Sequence, residues 1–452
     1  MQYINNGEHL LGHGNRVARE AALQIIERAL AKADPYLAVR KLLSINDDIL
    51  TVGSLTFDLR QIGRIYVVGA GKATFPVARA LEEVLGDRID HGIVICKYGQ
   101  KGELNRIDMR LANHPVPDES GFSAAKDILA LAEKTQPGDI VFAGFTGGSS
   151  ALMPYPVEEV SLEDKKLVNS LLLHCGANII EINSVRKHLS RIKGGRLAQA
   201  IHPDAHLINL TVSDVIGDPL DYITCPTVPD TSTFTQARAT LSKYELWKKV
   251  PVSVRDYLEN AGPEEESPKS LSDHQIYDFI VVPGTAACEG AYDAAKELGF
   301  SALILSTMLE GESSEVGGTF ADIAREIRAK ARPVAPPCVI IGGGETTVRI
   351  SDQCGQGGPN QEFAVGAALR LGDTEGVVIV GLDTDGTDGP SDFAGAIVDA
   401  STIARAQEAR IDLYAALIGH DVSRYLNDLG ENIITGATGT NVNDLKIMVV
   451  LR

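Results

Sequence analysis

Cys338-Val339-Ile340-Ile341 runs straight into Gly342-Gly343-Gly344-Glu345-Thr346-Thr347. Val377-Val378-Ile379-Val380 runs in the same way into Gly381-Leu382-Asp383-Thr384-Asp385-Gly386-Thr387-Asp388-Gly389. Between them lies a second glycine loop, Gly355-Gln356-Gly357-Gly358-Pro359-Asn360-Gln361-Glu362, followed by a helical pattern over residues 363–369. Each apolar run reads as a buried strand that stops at glycines and carboxylates. Such strands put polar chemistry at the carboxyl edge of a sheet, where open α/β folds bind ligands. Glycine lets the backbone approach a ligand closely, and N–H groups at a helix start favour anions.

The same pattern repeats toward the N-terminus. Ile65-Tyr66-Val67-Val68 leads into Gly69-Ala70-Gly71-Lys72-Ala73, and Asp139-Ile140-Val141-Phe142-Ala143-Gly144 ends at Thr146-Gly147-Gly148-Ser149-Ser150. Ile93-Val94-Ile95-Cys96 and Ala205-His206-Leu207-Ile208-Asn209-Leu210 are further strands, and spacing predicts helices over 16–33, 73–85, 124–134 and 161–173. Short apolar strands alternating with helices imply a parallel sheet covered on both faces. The clearest boundary is Asn260-Ala261-Gly262-Pro263-Glu264-Glu265-Glu266-Ser267-Pro268, charged and bounded by proline. Beyond it the alternation restarts at residues 279–282 and 302–305 and closes at 447–450. The expectation is an α/β protein of two domains, each a largely parallel sheet flanked by helices. Residues 1–262 would form a Rossmann-like domain and residues 263–452 a second, with its core about 335–450. A cleft between them is the default site.

Charge narrows the partners. A net charge of −18 argues against nucleic acid or an anionic membrane as the main partner, and no apolar run reaches a membrane-spanning length. The N-terminus lacks a basic region followed by a long apolar stretch, so a cytoplasmic protein is expected. Six cysteines, at 96, 175, 225, 288, 338 and 354, show no C-x-x-C spacing and read as reduced thiols, most of them in the core.

Against that acidic background, basic residues stand out. Lys72 lies on a strand–glycine turn that is neither a Walker A loop nor a dinucleotide fingerprint, yet it offers a point charge for phosphate or carboxylate. The 146–150 loop could cradle phosphate with backbone N–H groups and hydroxyls, or be a simple turn. Val185-Arg186-Lys187-His188-Leu189-Ser190-Arg191-Ile192-Lys193-Gly194-Gly195-Arg196 concentrates five Lys/Arg and is the expected receiver of an anionic substrate. Asp214 and Asp218, following a strand, suit Mg²⁺, and a capping role is the alternative. The Asp383-x-Asp385-Gly-x-Asp388 spacing has the wrong residues for a calcium loop. It fits Mg²⁺, a substrate hydroxyl or a turn.

These stretches together resemble the glycerate 2-kinase family, whose C-terminal part is the MOFRL domain and whose members are also labelled hydroxypyruvate reductases. The similarity rests on the blocks containing Gly69-Ala70-Gly71-Lys72, Asn183-Ser184-Val185-Arg186-Lys187-His188, Ser213-Asp214-Val215-Ile216-Gly217-Asp218 and Gly343-Gly344-Glu345-Thr346-Thr347. Asp385-Gly386-Thr387-Asp388-Gly389 and Thr438-Gly439-Thr440-Asn441-Val442-Asn443-Asp444 complete it, and the blocks follow in family order from about residue 15 to the end. The resemblance implies ATP- and Mg²⁺-dependent phosphorylation of the 2-hydroxyl of D-glycerate in a cleft between two α/β domains.

The residues carried over are catalytic Lys72, Arg186, Asp214 and Asp388, with Asp214 and Asp218 for the metal. Gly71, Gly147, Gly148, Ser149, Ser150, Lys193, Gly343, Gly344, Glu345, Asn360 and Glu362 would bind the nucleotide. The partners implied are a small anionic hydroxy acid and a nucleotide, acting on a monomer or homodimer. Catalysis by positioning and charge stabilisation is what phosphoryl transfer requires. Three positions depart from the family pattern. Ser149 replaces the third glycine of S-G-G-G-S, Thr224-Cys225-Pro226-Thr227 replaces S-G-P-T, and Pro359 stands where G-G-R-N-x-E has arginine. Losing a bidentate donor reshapes an anion pocket. A different hydroxy or sugar acid, an NAD(P)H-dependent hydroxypyruvate reductase and a binding protein without catalysis are therefore the alternatives.

Overall fold

A computed structural model describes residues 1–223, 226–350 and 354–452, so Thr224 and Cys225 lie outside the described residues. The chain divides into two compact units, one of residues 35–213 and 218–281, the other of residues 1–34, 214–217 and 282–452.

The first unit opens with a small antiparallel sheet, β1 (Leu43–Asn46), β2 (Ile49–Val52) and β3 (Leu55–Asp58). Its main sheet has the order β6-β5-β4-β7-β8-β9. The strands are β4 (Ile65–Ala70), β5 (Ile89–Lys97), β6 (Ile107–Ala112), β7 (Ile140–Phe145), β8 (His206–Val212) and β9 (Gln275–Val282). Pairings from β6 through β8 are parallel, as expected, and every residue of β4 and β7 is buried. The chain order turns back at β4, so the carboxyl ends of β4 and β7 meet at a topological switch point. The core on one face includes Tyr66, Val68, Ile93, Val141, Phe145 and Leu207 beneath the helix Glu119–Ala132.

The second unit corrects one expectation. Its sheet, β10-β11-β15-β12-β13-β14, is mixed. The strands are β10 (Ser301–Leu309), β11 (Cys338–Gly344), β12 (Val377–Asp383), β13 (Gly395–Asp399), β14 (Asn432–Ile433) and β15 (Asp444–Val450). Only β10 with β11 pairs in parallel; the final strand inserts between β11 and β12, antiparallel to both. Every residue of β11 and β15 is buried, so their apolar runs look the same as those of a parallel sheet.

Residues 1–34, read from sequence as part of the first domain, cluster with this second unit. Arg19, on the helix Arg16–Lys32, is fully buried and explains why. Its guanidinium donates to Asp399 at 2.7 Å, to Glu431 at 2.7 Å and to the Leu10 carbonyl at 3.2 Å. Among the described residues no helix is long and apolar enough to cross a membrane. The described cysteines are all free, with Cys96, Cys288 and Cys338 buried.

Candidate functional site

At the carboxyl edge of the parallel sheet, β4 and β7 end side by side. Gly69 lies opposite Gly144, and a side chain at either would strike the neighbouring backbone or Val77, so the helix Thr74–Leu85 can start directly above them. Two loops are then fastened together. The Lys72 N–H donates to the Gly147 carbonyl at 2.8 Å, and the Ala73 N–H to the Thr146 hydroxyl at 3.0 Å. Gly71 has φ +142 and a β-carbon there would sit 2.6 Å from the Thr146 carbonyl oxygen, so only glycine fits. Gly148, at φ +85, turns the second loop back. Among the described residues the N–H groups of Gly147, Gly148 and Ser150 make no hydrogen bond. Three backbone donors therefore lie on a loop fastened to the turn that carries the half-buried Lys72. Ser149 is buried in the same loop.

The basic run behaves differently from its expectation. Asn178 and Glu181 form a capping box that starts the helix Ile179–His188, and the helix turns its basic end inward. Lys187 is 2% exposed and donates to Asp221 at 2.5 Å and Asp230 at 3.2 Å. Asp230 is itself held by the Ser232 N–H and by the hydroxyls of Ser232 and Ser267. His188 bonds Glu266 at 2.7 Å, and burial lowers its pKa. Arg196 donates to the carbonyls of Lys187 and Glu265, and Arg191 pairs with Glu158 at the surface. Lys193 is buried, and Arg186 is half-buried with its Nε on Asn169 at 3.2 Å. As a group, then, these cations hold the unit together, with Arg186 half-buried among them.

In the second unit, the ends of β11, β12 and β15 converge on the start of the helix Pro359–Leu371. Asp388 is fully buried, and its two oxygens accept four bonds. These come from the N–H and side-chain amide of Asn360 at 2.9 and 3.1 Å, and from those of Gln361 at 2.8 and 3.0 Å. Burial raises its carboxyl to about 6 against the pull of those N–H groups. Asn360 also donates to Asp444 at 2.7 Å, and the Lys446 ammonium bridges Asn360 at 2.5 Å and Asp444 at 3.2 Å. Asp388, expected to be catalytic, thus caps a helix, and the donors expected to await an anion there are occupied.

Gly343 packs on Cys288 and Gly344 on the Leu309 backbone, while Glu345 is exposed and its N–H donates to the Leu309 carbonyl at 2.9 Å. Glu362 is buried against His420 at 3.0 Å, and burial raises its pKa. Asp214 accepts from the Asn441 amide at 2.9 Å, and Asp218 accepts from the Ser213 hydroxyl. Asp383 is pushed well above the carboxylate range by burial, then by Asp385 and Asp444. Lys446 was not singled out from sequence, Asp383 only as the start of the Asp383-x-Asp385-Gly-x-Asp388 spacing, and Asp444 only as the end of a motif.

Comparison with known proteins gives these clusters a common context. The description "Domain of unknown function (DUF4147)" matches residues 21–259 and the MOFRL family matches residues 338–444. A glycerate 2-kinase of Pyrococcus horikoshii is 42% identical over 435 residues, 96% of this chain and 97% of that one. The chain belongs to the glycerate 2-kinase family. A D-glycerate 2-kinase of Thermotoga maritima is 39% identical over 96% of this chain and 98% of its own. The crystal structure of a Thermotoga maritima glycerate kinase matches with a TM-score of 0.82 at 38% identity, covering 96% of this chain and 99% of that one. That of a Pyrococcus horikoshii protein matches with a TM-score of 0.79 at 42% identity, covering 96% and 98%.

Proposed function

We propose that the protein is a D-glycerate 2-kinase that moves the terminal phosphoryl group of MgATP to the 2-hydroxyl of D-glycerate, giving 2-phosphoglycerate and ADP. The observation that carries this is the 42% identity to a glycerate 2-kinase along 96% of the chain. The receptor formed by Lys72 and the N–H groups of Gly147, Gly148 and Ser150 supports it, because transferring a phosphoryl group demands fixed positive charge around its oxygens. Mg²⁺ enters with the nucleotide as MgATP. Asp214, half-buried and steadied by Asn441, is a carboxylate able to meet that metal through water. Arg186 is proposed to meet an anionic group. Asp388 is proposed to act by fixing Asn360 and Gln361. The setting proposed is the cytoplasm.

Pro359 supports a second reading of the acceptor alone. It begins the helix Pro359–Leu371, where a fixed φ and a missing N–H suit the first turn, but it carries no donor for a carboxylate. The acid accepted is then longer or branched. Incubating the purified protein with MgATP and a panel of hydroxy acids, with products identified by mass, tests both. Phosphorylated D-glycerate is the expected product, and a larger phosphorylated acid in its place selects the second reading. No ADP formation with any acid overturns both. Saturable NADH oxidation with hydroxypyruvate would restore the reductase alternative.

A further inference from the structure

His114 follows β6 by two residues, at the same carboxyl edge of the sheet as Lys72 and the 146–150 loop. Neither a motif nor the basic run points to it. Its position is fixed by what surrounds Gly148. A β-carbon built on Gly148 would lie 3.1 Å from both Cδ2 and Nε2 of His114, and 3.2 Å from Cγ of Lys72. The Nε2-bearing edge of the imidazole therefore rests against the α-carbon of Gly148, and the lysine stem passes along the same residue. Gly148 and its neighbours Gly147 and Ser150 are the residues whose N–H groups make no hydrogen bond among the described residues. One glycine is thus flanked by an imidazole nitrogen and an ammonium stem, with the backbone donors beside it.

We propose that His114 is an oxyanion-binding residue of this site, its Nε2 donating to the anionic group that Lys72 and the 146–150 loop receive. This rests on the kinase reading for the identity of the anion, either a phosphoryl group of the nucleotide or the carboxylate of the acid. An imidazole N–H is a hydrogen-bond donor fixed in the plane of its ring. Lysine alone supplies a mobile point charge. The imidazole is held against Gly148, so it adds direction.

Titration calorimetry of wild-type protein, His114→Leu and His114→Gln with MgATP and, separately, with D-glycerate tests this without needing turnover. His114→Leu is expected to weaken one of the two ligands by about ten- to a hundredfold, as loss of a charge-assisted hydrogen bond does. The ligand affected identifies the anion. His114→Gln keeps a donor, should recover part of the affinity, and stands in if His114→Leu does not fold. Affinities for both ligands within about twofold of wild type in a folded variant overturn the proposal. So does wild-type protein that binds neither ligand. Wild-type protein that binds both ligands but forms no phosphorylated acid defeats the kinase reading and leaves the His114 comparison readable.

Discussion

At the ends of β4 and β7, the N–H groups of Gly147, Gly148 and Ser150 make no hydrogen bond among the described residues, and Lys72 is half-buried beside them. At the ends of β11, β12 and β15, Asp388 takes four donors while Asn360 and Lys446 are tied to Asp444. Both places are strand ends rich in glycine and polar residues. One leaves three backbone donors open beside a lysine, and the other is a closed network in which the buried carboxylates already have their donors. The difference teaches that a glycine–carboxylate cluster at a strand end signals polar chemistry without saying whether the chemistry faces a ligand or the protein itself. Open donors cost stability until a ligand arrives, whereas a satisfied buried network fixes the backbone around it.

The largest expected effect lies in the closed network. Lys446 is 1% exposed, so Lys446→Met leaves Asp444 buried without its ammonium. Breaking a buried pair from one side costs about 3–5 kcal/mol. Equilibrium denaturation should show a loss of that size, and a loss below about 1 kcal/mol would mean that the network is not closed as described. Lys72→Met should do the reverse. Removing the charge of the open receptor should lower kcat/KM for MgATP by about 10²–10³-fold. The loss of stability should be smaller than in Lys446→Met, because Lys72 is half-buried and Lys446 fully buried. If Lys72→Met unfolds the protein and Lys446→Met only slows it, the two regions have been assigned the wrong way round.

The open region was the more legible of the two. β4 and β7 are buried along their whole length, so their apolar runs are uninterrupted and their loops are easy to locate. β6 lies at the end of the sheet and alternates, Ile107-Asp108-Met109-Arg110-Leu111-Ala112, with only its first and last residues buried. It was therefore missed, and His114 with it. In the second unit the strands could be read but not their directions, because β15 reaches its place between β11 and β12 through pairing across the whole unit. The basic run was visible as charge, yet Lys187 finds Asp221 and Asp230 only in three dimensions. The helix Arg16–Lys32 was plain from its spacing. Its membership of the second unit depends on partners 380 and 412 residues away.

That last contact offers the smallest effect and the sharpest test of what closure means. Asp399 accepts from the Arg19 guanidinium and the Asn15 N–H on one oxygen and from the Ser401 N–H and hydroxyl on the other. Burial alone would raise its pKa, but Arg19 and these donors outweigh burial and hold the carboxyl at about 2. The folded value lies below the unfolded one of about 4, so the carboxylate's contribution is fully present above pH 4 and fades as pH falls toward 2. A shift of that size corresponds to about 2 kcal/mol. Asp399→Asn should therefore cost about 2 kcal/mol at pH 7, and the gap from wild type should narrow between about pH 4 and pH 3. The nearby His13 is lowered to about 4 by burial first, then by Arg405 and Arg19. It acts earlier: its contribution is complete above about pH 6.5 and declines toward pH 4. A gap that stays constant down to pH 3 would show that Arg19 is held by packing and Glu431, with Asp399 adding no charge-dependent share.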